Sequence, residues 1–289
     1  MKKRIYQGLL TAVCITLAAS CLMVMDPGTD ETWQAPAELR KSVDFQAGGT
    51  VAVEHTLGNI VITGWDDNSL DVVATGRPPE PASRREVRLY SAADIEPSVD
   101  IRQAGGATRI RTRSLGGPWA SGGLDYAISV PHSVNLETIR LEQGDLTISD
   151  VYGRADVAVS KGNLAVKNFS GPLKAVLDAG GADVELLDIR GVDTVDILCR
   201  EGDIALRLEP DAGVTIKAEA PGGQITSEYG LGRSLPAKEL SGRMGSGEAR
   251  IALKTLRGNI KILKTGGTPP GRDRLSRDGE EDHGRHARR

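Results

Sequence analysis

Four histidines, three cysteines and a recurring acidic corner are the residues from which any reaction or metal site in this chain would have to be built. His55 and His132 stand far apart, and His283 and His286 fall in a terminal stretch of mixed charge. A pair spaced like the last two could catch a metal, but a solvated charged tail is the expected reading. Cys14 and Cys21 lie in an apolar N-terminal run, so Cys199 is the one thiol of the domain that follows. It has no partner there for an intramolecular disulfide or a thiolate zinc site. No histidine falls beside it, and the expected role is a small core side chain rather than a nucleophile. Asp145, Asn163, Asp183 and Asp203 recur at equivalent places and would stack into a column that invites calcium. Calcium-binding β-rolls use a repeat about nine residues long, dense in Gly and Asp, whereas this one has about twice that period and one such side chain per turn, so hydrogen bonding at a corner is the expected use. Arg109, Arg111 and Arg113 alternate along one strand and share a face, which suits an anionic glycan or lipid head group, or plain solvent. Nowhere are carboxylates grouped as a polysaccharide lyase needs them. The expectation is no catalytic residue, no cofactor and no metal site.

The elements that position these residues come from a repeat between Leu141 and Ala218. Aligned on a Gly or its Ala stand-in, it reads Gly144-Asp145-Leu146-Thr147-Ile148, Gly162-Asn163-Leu164-Ala165-Val166, Ala182-Asp183-Val184-Glu185-Leu186 and Gly202-Asp203-Ile204-Ala205-Leu206. These anchors step by 18, 20 and 20 residues, the period of a solenoid rather than of hairpins. Aliphatics two apart, as in Leu146 and Ile148 or Val157 and Val159, point to one face of a strand. A Gly that tolerates positive φ beside an Asp or Asn that bonds its own turn makes the corner. Val151, Phe169 and Ile189 should plug the other bend. Each coil is then two short strands and two bends, and it can bury its apolar side only by stacking on its neighbours, about 4.8 Å apart. The predicted interior ladders are Leu146, Leu164, Val184, Ile204 and Ile148, Val166, Leu186, Leu206. Thr147, Ala165, Glu185 and Ala205 should point outward along one flat face, the expected working surface for a long polymer or another protein. The fold class expected is all-β, a single-stranded, mostly parallel β-solenoid (β-helix) with coils of about 18–21 residues.

Composition agrees. Aromatics are 3% of the chain, enough for a narrow aliphatic interior and few for the stacking platforms of a sugar-processing cleft. The 35 glycines follow no collagen period and gather at the predicted corners. A formal charge of -3 gives no reason to expect nucleic acid as a partner.

In chain order, residues 1–25 open with Lys2, Lys3 and Arg4 and then run uncharged from Gly8 to Met25, the layout of an export signal or anchor. Leu17-Ala18-Ala19-Ser20-Cys21 resembles a bacterial lipobox, which makes Cys21 the candidate lipidation site. An uncleaved span and plain cleavage stay open beside it, since 18 residues lie at the lower edge of what crosses a bilayer. Residues 26–40 read as a tether, 41–264 as the solenoid domain and 265–289 as a disordered charged tail. Strands are expected at Glu86 to Tyr90, Val99 to Arg102, Thr108 to Arg113 and Leu124 to Val130. Gly58-Asn59-Ile60, Gly223-Gln224-Ile225 and Gly258-Asn259-Ile260 restate the coil motif outside the regular array.

Val51-Ala52-Val53 running into Leu57-Gly58-Asn59-Ile60-Val61-Ile62 and Gly64-Trp65-Asp66, the strand Tyr126-Ala127-Ile128-Ser129-Val130-Pro131, and the Gly-Asp and Gly-Asn coils together resemble the bacterial putative-adhesin family of envelope proteins, over roughly Lys41 to Lys264. That resemblance implies a β-solenoid, adhesion and no catalytic residues. The function expected is a non-enzymatic, membrane-tethered scaffold or binding module of the cell envelope. Its expected partners are a surface polysaccharide or another envelope protein, with the membrane reached through the N-terminus. A structural or regulatory part of an envelope-stress system is the alternative, and a carbohydrate-active enzyme the third.

Overall fold

The structure, a computed structural model, describes residues 37–77, 91–113, 122–187, 189, 194–231 and 236–265. Cys21, His283, His286, the strand expected over residues 86–90 and the tail from residue 266 lie outside them. With strands numbered in chain order, one ten-stranded sheet runs β1 (Glu38–Asp44), β4 (Ser69–Gly76), β7 (Leu124–Pro131), β3 (Ile60–Trp65), β9 (Leu146–Ser149), β11 (Leu164–Phe169), β13 (Ala182–Leu186), β15 (Ile204–Leu208), β20 (Ile260–Lys264), β17 (Ile225–Ser227). The other runs β18 (Glu239–Arg243), β16 (Val214–Glu219), β19 (Ala249–Arg257), β14 (Thr194–Glu201), β12 (Leu173–Ala179), β10 (Ala155–Lys161), β8 (Asn135–Gln143), β2 (Thr50–Leu57), β6 (Ala107–Thr112), β5 (Val99–Ala104). A single turn of helix, α1 (Ala92–Ile95), precedes β5.

The chain is therefore all-β, in two large mixed sheets. From β8 to β15 it alternates between the sheets, and each strand pairs parallel with its copy one turn on. The expectation of a parallel, single-stranded solenoid throughout does not hold, because β1–β4, β4–β7, β5–β6 and β16–β18 pair antiparallel at the ends. Nor does stacking follow chain order: β20 lies between β15 and β17, and β19 between β14 and β16. The Gly258 unit thus sits directly on the Gly202 unit, with the Gly223 unit outside it. The Gly58 unit stacks on the first regular one through Val51–Leu136 and Ile60–Leu146.

Alternation along the strands decides the core. Leu146 and Ile148, Val157 and Val159, and the bend residues Val151, Phe169 and Ile189 are all buried in one apolar cluster. The first ladder is Leu146–Leu164–Ala182–Ile204 and the second Ile148–Val166–Val184–Leu206. Ala182 is thus the first inward residue of its strand, not a corner. The corner is Gly180, with φ +134° in line with +134° at Gly144, +138° at Gly162 and +140° at Gly202. The sequence alignment slipped by two residues there because Gly180 and Gly181 precede an Ala-Asp pair that imitates Gly-Asp. A Cβ on Gly144, Gly162, Gly180 or Gly202 would come within 2.1 Å of the carbonyl oxygen of the corner before it, so close stacking excludes side chains at this position.

Candidate binding face

At the corner after each positive-φ Gly, side-chain oxygens link one coil to the next. Asp125 Oδ1 accepts from the Asn59 backbone N–H at 2.7 Å, Asn59 Oδ1 from Asp145 at 3.0 Å, Asp145 Oδ1 from Asn163 at 2.8 Å and Asn163 Oδ1 from Gly181 at 2.9 Å. Asp203 and Asn259 continue the pattern, with Asn259 N donating to Asp203 at 2.7 Å and Gln224 N to Asn259 at 3.1 Å. The column therefore uses its oxygens on backbone amides, but on those of the neighbouring coil rather than of the residue's own turn as expected, because stacking brings the next coil's N–H within reach. Asp183 does not belong to it; its carboxylate pairs with Arg207 on the outward face of the first sheet.

The reactive side chains are spread through the interior and its rim. The Cys199 thiol points inward, donates to the Gly180 carbonyl at 3.0 Å and is pushed up in pKa by burial. His55 is buried, with Nε2 2.8 Å from the Leu124 carbonyl and Nδ1 2.7 Å from Thr112 Oγ1. A carbonyl can only accept, so Nε2 carries the proton and Nδ1 accepts from the Thr112 hydroxyl, which in turn takes the Tyr126 hydroxyl at 2.9 Å. Burial pulls the His55 pKa down to about 4 and pushes Tyr126 up to about 12. This chain of bonds is closed on itself and satisfies the interior. His132 packs on the Tyr152 ring at a corner, 5.2 Å between centroids, with Nδ1 on the Asp150 carbonyl.

Among the described residues, the outer side of the second sheet carries surface hollows. Three cavities of about 600, 350 and 370 Å³ lie there. Strand register places their lining in parallel rows. The middle row reads Arg140–Ala158–Val176–Leu198–Lys254–Glu219 across β8, β10, β12, β14, β19 and β16. On one side of it runs Asp156–Lys174–Asp196–Ala252–Lys217, and on the other Asp178 and Arg200, then Leu256, which is 42% exposed. Ala158, Val176 and Leu198 make an aliphatic floor at the middle of the face, bounded within its own row by Arg140, Lys254 and Glu219 and on either side by alternating charges. Lys174 lies 3.9 Å from Asp156 and Arg200 2.7 Å from Asp178, while Lys217 and Lys254 hold Glu219 down at about 2. Arg109, Arg111 and Arg113 do alternate with the buried Thr108, Ile110 and Thr112, but Arg111 is met by Glu54 at 3.2 Å and Arg113 by Asp100 at 3.3 Å.

The first sheet presents Thr147, Ala165, Asp183 and Ala205 outward in one row, Asp183 standing where Glu185 was expected. None of the three cavities touches it. The face that carries them went unmarked in the sequence reading, yet a signal was there: in Ala175-Val176-Leu177 and Ile197-Leu198-Cys199 three apolar residues run together, so one in each triplet must face out. Among the described residues no group of three or more His, Cys, Asp or Glu is placed to hold a metal, and no helix is long and apolar enough to cross a membrane.

No family model matches the chain, and neither does any curated protein. Among solved structures it is similar to a putative cell adhesion protein from Clostridium sporogenes ATCC 15579, with 14% identity, 80% of this chain and 100% of that one covered, and a TM-score of 0.48. It is also similar to a putative adhesin from Bacteroides fragilis NCTC 9343, with 13% identity, 78% and 97% coverage and a TM-score of 0.44. A putative lipid binding protein from Parabacteroides distasonis ATCC 8503 aligns at 9% identity over 80% and 95%, with a TM-score of 0.28. At these values the likenesses carry no argument about what this chain binds.

Proposed function

We propose that the protein is a non-enzymatic binding module of the cell envelope, that its regular middle is a short β-solenoid serving as a rigid support, and that the outer face of the second sheet is its working surface. The observation that carries this is the grouping of cavities, an aliphatic floor and charged walls on one side of one sheet, above the packed core. Histidine, thiol and phenol groups inside are engaged with one another or with backbone carbonyls, so the chemistry of the surface is recognition rather than turnover. Flat faces of this kind bind through area and through many copies held together, and a membrane tether supplies that. The tether belongs to the proposal: Cys21 is the residue for lipid attachment, and Cys21→Ala should abolish incorporation of labelled fatty acid.

Binding of the full-length protein to whole cells and to a glycan array tests the surface. Val176→Lys and Leu198→Lys project charge from the floor without entering the core, and each should lower binding at least tenfold with an unchanged circular dichroism spectrum. Unchanged binding in both would move the function off this face.

A further inference from the structure

The charges on this face alternate in a way that matches the face to itself. On β12 the outward residues are Lys174, Val176 and Asp178; on β14 they are Asp196, Val176's neighbour Leu198, and Arg200. Rotate a second copy by half a turn about an axis parallel to the strands and midway between β12 and β14, and β12 of one copy lies over β14 of the other. Lys174 then meets Asp196, Val176 meets Leu198 and Asp178 meets Arg200, each contact occurring twice. The next strands out, β10 over β19, set Asp156 over Ala252 and Ala158 over Lys254, and beyond them β8 comes over β16 with Arg140 over Glu219.

We propose that the partner of this surface is a second copy of the same chain, bound face to face by a two-fold axis between β12 and β14. The inference rests on the reading of this face as the working surface. An isologous interface needs a patch complementary to itself, and alternating opposite charges in corresponding places supply it. A polyanion would meet Asp156, Asp178 and Asp196, and a polycation Lys174, Arg200 and Lys217, so neither is favoured over the chain's own pattern. A sugar chain would want an aromatic platform, and the three rows hold aliphatics and charged side chains instead. Six strands about 4.8 Å apart, each contributing about 17 Å of length, bury about 500 Å² per copy. That is the size of a weak, transient contact, suited to many tethered copies acting together rather than to a permanent dimer.

Complementary charge reversal tests it. Sedimentation equilibrium of the full-length protein in mild detergent, from about 10 µM to about 1 mM, should show reversible dimers that weaken with added salt. Asp178→Arg alone sets Arg against Arg200 of the other copy, and Arg200→Asp alone sets Asp against Asp178; each should lose at least tenfold in self-association. An equimolar mixture of the two variants puts opposite charges together again at both places and should recover association, which an ion pair confined within one copy does not do. Thermal unfolding of each variant checks the fold. Wild type that stays monomeric throughout, or a mixture of two folded variants that fails to recover, overturns the proposal. If that happens while Val176→Lys still lowers cell binding, the face works on a different partner; if Val176→Lys changes nothing either, the working-surface reading falls with it.

Discussion

Asn163 Oδ1 accepts a hydrogen bond from the backbone N–H of Gly181 at 2.9 Å, and at Gly181 the column of side-chain acceptors is interrupted before Asp203 takes it up again. Gly181 has no positive φ, and a Cβ there would meet nothing nearer than the Asp203 carbonyl oxygen at 3.4 Å. Gly181→Asn therefore fits, restricts the unfolded chain and offers an acceptor to the next coil. It should raise stability by about 0.5–1.5 kcal/mol in urea denaturation. A loss of stability would mean that the corner has no room for the column to continue.

One residue earlier the sign reverses. Gly180 has φ +134°, and its Cβ would fall 1.9 Å from the Gly162 carbonyl oxygen. Gly180→Ala should cost about 3 kcal/mol or more, since stacked backbone on both sides has nowhere to move. The contrast between two adjacent glycines, measured in the same denaturation series, separates the corner position from the column position.

Leu164 and Ala165 are neighbours on β11 that face opposite ways, Leu164 into the core and Ala165 into the outward row of the first sheet. Leu164→Asp buries a carboxylate without a partner and should unfold the array, whereas Ala165→Asp should shift stability by only about 0.5 kcal/mol. Equal melting temperatures for the two variants would contradict the register.

His55 makes the fold acid-sensitive in a defined window. Its pKa is lowered from 6.5 to about 4 by burial, so between those values the unfolded chain takes up a proton that the folded one refuses. The contribution is complete above pH 6.5 and is lost as pH falls toward 4, amounting to roughly 3 kcal/mol at most. His55→Gln keeps polar groups at the site and removes the titration. Stability against pH should be flatter for this variant across that window; an identical slope would place the acid sensitivity elsewhere.

Much of the architecture follows from the sequence by itself. Aliphatics two apart, with a Gly and then an Asp or Asn ahead of them, fix short strands, their inward faces and the corners, because side-chain alternation and positive φ are local properties. Hence the core positions Leu146, Ile148, Val157, Val166 and Phe169, the all-β class and the corner places of Asp145, Asn163 and Asp203 were legible, whereas the exclusion of Asp183 and the bonding of each corner to the next coil were not. Other features were decided by contacts between distant segments. Gly180 rather than Ala182 takes the corner because only a residue without Cβ can lie against the Gly162 carbonyl, a contact made across a coil. The order β15–β20–β17 and the antiparallel ends reflect which exposed edge each segment outside the regular array could pair with, and a local pattern carries no information about that. The candidate face has the same origin. Val176, Leu198, Lys174, Asp196, Asp178 and Arg200 are unremarkable outward residues in their own strands, and they become an aliphatic floor between alternating charges only when parallel register sets β12 beside β14.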